Sequence, residues 1–251
     1  MKKQKILLGI ILFLLGFIGI LSILTMKLPI PEETMKMLLE KLTPDQIKLV
    51  TLINPTIMLA IAILIGVILH KKVNLEVPII EGIITKESNW SLIPILKFGI
   101  IGGIIGGILI TIISFIFYPF LPSEFIELGE NMKPSLATRF LYGGFTEEIL
   151  LRFGFMTLIV WIASKIIKNE KNSIYWIGIL ISSILFAFGH FPIAFQAVEN
   201  PSTSLFAYIL IGNSIGGIIF GWLYWKKGLE SAFIAHIFAH IIMIIGEQFM
   251  N

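Results

Sequence analysis

The residues that could do chemistry are few, and they fall inside apolar runs. Residues 145 to 152 read FTEEILLR, which puts Glu147, Glu148 and Arg152 within six positions. At about 100° per residue, Glu148 and Arg152 lie one turn apart on one helical face and can form an ion pair. Glu147 points about 100° away from that face and is left as an unpaired carboxylate. Such a group suits general-base work on water. Three histidines accompany it: His190 in FAFGHFP, just ahead of the helix-stopping Pro192, and His236 and His240 in HIFAH, four apart and so on one face. Any one of them alone reads as a hydrogen-bonded core histidine, whereas three with an unpaired glutamate read as a site. His70 ends another apolar run beside Lys71 and Lys72 and reads as interfacial.

The inventory removes several hydrolase designs. The one aspartate, Asp45, lies outside the apolar runs, so an aspartyl dyad is excluded. Cysteine is absent, which removes a thiolate nucleophile, a disulfide framework and a cysteine-ligated metal. No His-Glu-x-x-His occurs. Ser182 and Ser183 lie in apolar runs without a Gly-x-Ser-x-Gly setting; Ser214 has that spacing in Gly212-x-Ser214-x-Gly216, but inside an apolar run where no strand-to-helix turn is expected, which weakens a serine nucleophile without excluding it. Water activated by a carboxylate and histidine survives, with or without a metal.

Helices must position these groups. The 251 residues are 56% hydrophobic and 14% charged, with apolar runs recurring from end to end, the profile of an all-α, polytopic transmembrane helix bundle. Seven spans are expected at about 6–26, 50–70, 93–119, 137–164, 173–191, 204–225 and 229–249. The opening MKKQK and the run behind it resemble a signal peptide, but the run is too long and lacks a small-x-small site, so it reads as a retained helix. Residues 27–49 alternate Lys and Glu with apolar residues at helical spacing and read either as an amphipathic interfacial helix or as a solvated loop; 71–92 reads as a second surface segment. Glycines recur every four residues at Gly99, Gly103 and Gly107, at Gly102 and Gly106, and at Gly217 and Gly221, as packing faces between membrane helices.

The net charge of +3 does not point to nucleic acid, because the lysines flank apolar runs and set orientation. With the N-terminus in the cytoplasm, the inner segments hold eleven basic residues (Lys2, Lys3, Lys5, Lys71, Lys72, Lys86, Lys165, Lys168, Lys171, Lys226, Lys227). The outer ones hold six (Lys27, Lys36, Lys41, Lys48, Lys133, Arg139). The positive-inside rule therefore expects a multi-pass cell-membrane protein with a cytoplasmic N-terminus.

Glu147-Glu148-x-x-x-Arg152, then Phe186-x-x-x-His190, then His236 with a polar residue four positions on, resembles the CAAX prenyl protease and bacteriocin-processing (CPBP, Abi) family of intramembrane peptidases. Gly217-x-x-x-Gly221-x-x-Tyr224 ahead of Leu229 also looks like the stretch before that family's last motif. The similarity covers about 137–245, dividing the chain into an N-terminal membrane region, 1–136, with three helices, and a catalytic core, 137–251, with four. The resemblance implies an intramembrane endopeptidase cutting a membrane-bound or lipidated peptide in the bilayer. By position, Glu147 and His190 would activate the water, His236 and His240 would hold the oxyanion, and Glu148 and Arg152 would brace the site. The family often has asparagine where this chain has His240; an imidazole N–H can also serve an oxyanion. That departure keeps a zinc version open, with Glu147, His190, His236 and His240 as ligands. No other cofactor is implied.

Two other classes compete. One is a non-catalytic scaffold or bacteriocin-immunity protein that keeps the polar cluster for packing or partner binding. The other is a proton-coupled transporter, although no inverted repeat is detectable. With the N-terminus inside, the pocket would open outward, whereas removal of a prenylated C-terminal tripeptide needs cytosolic access, so a CAAX substrate does not follow from the resemblance.

Overall fold

The computed structural model describes residues 2–26, 30, 32–87, 90–131, 134–167 and 172–249; Lys27, Lys133, Lys168 and Lys171 of the charge count lie outside them. Among the described residues there is no strand, and seven helices are long and apolar enough to cross a membrane. Backbone groups in a bilayer must be bonded within the protein, and only helices do this within one apolar run. In chain order, α1 (Lys2–Ser22) is followed by the short α2 (Glu32–Leu39) and α3 (Pro44–Thr51), then by α4 (Ile53–Leu69), α5 (Pro78–Thr85) and α6 (Leu92–Phe117). A short helix, α7 (Ser123–Asn131), precedes the fourth span, α8 (Thr138–Ile166). Then come α9 (Ser173–Phe188), α10 (Phe191–Ala197), α11 (Thr203–Lys227) and α12 (Leu229–Glu247). Leu64 and Ile105, 62% and 50% exposed, belong to an outer apolar belt of the kind lipid covers. This is a multi-pass membrane protein.

Because lipid tails are as apolar as leucine, helices in a bilayer associate through close packing and hydrogen bonds. The glycines of α6 show how. A Cβ on Gly103 would stand 2.5 Å from the carbonyl oxygen of Ala235, so α6 lies backbone to backbone along α12, the helix that carries His236 and His240. The α9–α11 crossing works the same way: a Cβ on Gly217 would stand 2.7 Å from Cβ of Ser183. Between these pairs runs α8, packed against α1, α4 and α12.

Two surface expectations change. Residues 27–49 do not hold one amphipathic helix: α2 ends at Leu39, and α3 starts afresh behind a capping box in which Thr43 and Gln46 bond each other's backbone amides. Residues 71–92 do not simply lie along the surface, since Val73, Leu75 and Val77 are buried. Glu230 Oε1 accepts from the amides of Ile79 and Ile80 at 2.9 Å each, which satisfies the first turn of α5 and fastens it to the start of α12. His70 is also not merely interfacial. It is buried, with Nδ1 2.8 Å from the carbonyl of Gly66 and Nε2 3.1 Å from Glu81 Oε1.

Candidate active site

The site begins with an irregular helix. Residues Thr138–Glu147 and Ile149–Met156 of α8 run in wide turns bonded i to i+5, and both the amide and the hydroxyl of Thr157 reach back to the carbonyl of Arg152. Turns of this kind are rare and concentrate at functional sites. Here they carry Glu147, Glu148 and Arg152. The two neighbouring carboxylates meet opposite edges of one imidazole: Glu148 Oε1 is 2.8 Å from His236 Nδ1, and Glu147 Oε2 is 3.7 Å from His236 Nε2. Along α8 alone Glu147 has no partner; the ring that α12 places across from it supplies one.

Glu148 and Arg152 are fully buried. Arg152 Nε stands 3.2 Å from Glu148 Oε2, as the four-residue spacing requires, and Nη2 donates to the carbonyl of Gly217 at 3.3 Å. The guanidinium lies over the rings of Phe186 and Phe220, 5.1 and 5.7 Å from their centroids. An isolated charge in the bilayer costs on the order of 3 kcal/mol, so carboxylate, guanidinium and aromatic faces hold one another there. The close approach at Gly217 delivers the carbonyl that Arg152 uses.

The histidines enter from two helices. α9 stops at Phe188, Gly189 and His190 make the turn, and Pro192 opens α10, so the His190 side chain hangs at a helix break. His190 Nδ1 is 2.9 Å from the carbonyl of Phe186; a carbonyl only accepts, so Nδ1 carries the proton and Nε2 presents its lone pair. His236 and His240 stack one turn apart on α12, ring centroids 5.0 Å apart, and Phe220 stacks on the far face of His236 at 4.7 Å. Gly143 supplies the floor in front of them. A Cβ there would sit 2.9 Å from His240 Nε2 and 3.2 Å from His236 Nε2.

Glu147, His190, His236 and His240 all line one cavity of about 330 Å³. Tyr142, Asn213 and the bidentate pair Arg139–Glu247 line it too, none of them among the site residues read from the sequence. One signal was legible: Arg139 and Arg152 are the only arginines in the chain. The cavity occupies the end of the bundle where α8 starts and α12 finishes. A separate cavity lined by Gln4, Lys5, His70 and Lys71 lies at the opposite end. Ser182 and Ser183 both donate to the carbonyl of Ile179 rather than facing the site. Among the described residues, no three His, Asp or Glu side chains come together as a group that could hold a metal, so the four-ligand zinc set is not assembled in this arrangement.

Fold and site thus define the class: a polytopic helix bundle with a carboxylate–histidine chamber at one end. The family model for Rce1-like type II CAAX prenyl endopeptidases matches residues 130–242, the segment that carries Glu147, His190, His236 and His240, so this part of the chain is similar to that peptidase family. No curated protein and no solved structure matches the chain. The match supports a protease, in keeping with the membrane-embedded bundle.

Proposed function

We propose that the protein is a glutamate-type intramembrane endopeptidase that hydrolyses a membrane-bound or lipidated peptide with water activated by Glu147 and His190. Residues 137–251 form its catalytic core, and the first three spans brace it. The observation that carries this reading is the common chamber: a free carboxylate edge, an imidazole with its Nε2 lone pair exposed, and two stacked imidazoles converge on one cavity.

The step follows from these groups. A water held between Glu147 and His190 Nε2 has both hydrogens accepted, which turns its lone pair toward a scissile carbonyl. Glu147 takes a proton as the oxygen–carbon bond forms. The carbonyl electron pair moves onto oxygen, where His236 and His240 donate to it. The carbon–nitrogen bond then breaks, and Glu147 returns its proton to the leaving amine. His236 already donates from Nδ1 to Glu148, so donation from Nε2 uses the doubly protonated ring, whose charge the two adjacent carboxylates balance. Each oxyanion donor of this type is worth about 10²–10³ in rate. With the N-terminus in the cytoplasm, the chamber opens to the outer side.

Co-expression of lipidated peptide substrates with the wild type and with Glu147→Gln tests the proposal. Cleavage is lost in the variant while the amount of folded protein is unchanged. Normal cleavage by Glu147→Gln refutes the assignment; a cellular phenotype that persists without cleavage favours the scaffold class.

A further inference from the structure

Asn213, on α11, brings a free acceptor to the chamber. Its Nδ2 donates to the carbonyl of Ile209, one turn back, at 2.8 Å. A carbonyl only accepts, so the bonded atom is the nitrogen and Oδ1 is the atom left over. Among the described residues Oδ1 accepts from no donor, and it is not sealed in the core. Asn213 lines the cavity that holds Glu147 and the three histidines. An acceptor stripped of water there and left unpaired costs free energy, which an incoming donor recovers. The face beside it is cleared. Gly212 and Gly216 line the same cavity. Gly212 is buried, yet a Cβ on it would meet no neighbour within 4 Å. Gly103 and Gly217 are explained by packing, since a Cβ on either would run into the next helix. Gly212 makes room for nothing that the chain itself supplies, although glycine inside a helix costs stability relative to alanine. What such a gap admits is another backbone at close approach.

We propose that Asn213 is a specificity residue of the chamber, its Oδ1 accepting a backbone N–H of an extended substrate peptide that lies across Gly212. The inference rests on reading the chamber as a peptidase site. Phe220, two turns further along α11, stacks on His236, which marks the level of the oxyanion in that reading. Seven residues separate Asn213 from Phe220, on the order of 10 Å along the axis. About three extended residues cover that distance, so the recognised amide stands about three residues from the bond to be cut. Recognition of a backbone N–H tolerates any side chain at that position but excludes proline, which has no N–H. An Asn or Gln side chain of the substrate offers the same donor chemistry from another source, and the test separates the two.

The probe is a pool of short N-palmitoylated peptides of randomised sequence, offered to the full-length protein in detergent micelles, with fragments read by mass spectrometry. The best-cleaved sequence is then made as a series in which each backbone amide near the cut bond, but not the cut bond itself, is replaced in turn by an ester. An ester keeps the shape of the chain and removes one N–H. At one position the ester lowers kcat/KM of the wild type by about tenfold, the scale of one hydrogen bond. Asn213→Leu, close in size and without the acceptor, cleaves the all-amide peptide about tenfold more slowly and is indifferent to the ester at that position. Should Asn213→Leu fold poorly, Asn213→Ala also lacks the acceptor and must give the same profile. Gly212→Leu, whose side chain enters the empty space, keeps its unfolding temperature and loses cleavage. An ester profile that is the same in wild type and in the Asn213 variant overturns the proposal, as does normal cleavage by a folded Gly212→Leu. So does tolerance of every ester together with a requirement for Asn or Gln at one position, which would assign Oδ1 to a side chain. These outcomes leave the peptidase reading standing; a wild type that cleaves no member of the pool counts against that reading and overturns this proposal with it.

Discussion

Glu148 Oε1 lies 2.8 Å from His236 Nδ1 and ties α8 to α12 beside the cavity that Glu147 and the three histidines line. Among the described residues Glu148 is also the only carboxylate in ion contact with the buried Arg152, so one side chain serves both a histidine of the site and the charge balance of the core. Support and chemistry are coupled at this residue.

Glu148→Gln therefore lowers stability as well as activity. The amide can still accept from His236, but the buried Arg152 loses the carboxylate it pairs with, and breaking a buried pair costs about 3–5 kcal/mol. Thermal unfolding in detergent should show a large loss. Glu148→Gln combined with Arg152→Met should recover part of the stability and none of the cleavage. Full stability in the single variant would contradict the pairing.

Gly143→Ala should do the reverse. The added methyl enters the space before His236 and His240, 3.2 and 2.9 Å from their Nε2 atoms, the space the proposed mechanism gives to the oxyanion. Cleavage should fall at least about tenfold with the unfolding temperature little changed, since alanine is the better helix former. Kinetics and unfolding on the same preparation check both halves.

Gly103→Val tests how α12 is held. Two β-branched methyl groups at the closest backbone contact between α6 and α12 force the helices apart, and overpacking of this kind typically costs about 1–3 kcal/mol. Both stability and cleavage should fall, although residue 103 lines no part of the cavity.

The far end of the bundle predicts a pH dependence. Burial pushes the Glu81 carboxyl up, but hydrogen bonds from His70 and Lys71 and their charges outweigh it, holding the carboxyl below its ordinary value of 4.5. A carboxyl depressed on folding adds stability above its unfolded value, and this stability is lost as pH falls through the folded one. Glu81→Gln should therefore be less stable than wild type at pH 7, with the difference closing below about pH 4.5. Unfolding temperatures across that range provide the check.

Much of this was legible in the sequence for a local reason. Apolar runs gave seven spans within a few residues, and the Glu148–Arg152 pair followed from a spacing of four on one helix. Contacts between helices were less accessible. His236 meets Glu148 across 88 positions and Arg139 meets Glu247 across 108, and such separations depend on how α8 settles against α12. The wide turns of α8 have no propensity signature, so the helical wheel could not show both glutamates reaching one ring. His70 looked interfacial because Lys71 and Lys72 follow it, whereas its burial depends on Glu81 eleven residues later.

A metal-free site predicts that chelation leaves cleavage unchanged. Loss of activity with a zinc chelator and its return on adding zinc would instead support Glu147 and the three histidines as ligands.

The most direct test is a kinetic cycle on Glu147→Gln, His190→Ala and the double variant with one lipidated peptide. Because both residues are held to act on a single water, each change should lower kcat/KM by about 10³ or more, and the double variant should be scarcely worse than the poorer single one. Losses that multiply, or a single variant that cleaves normally, would contradict the account.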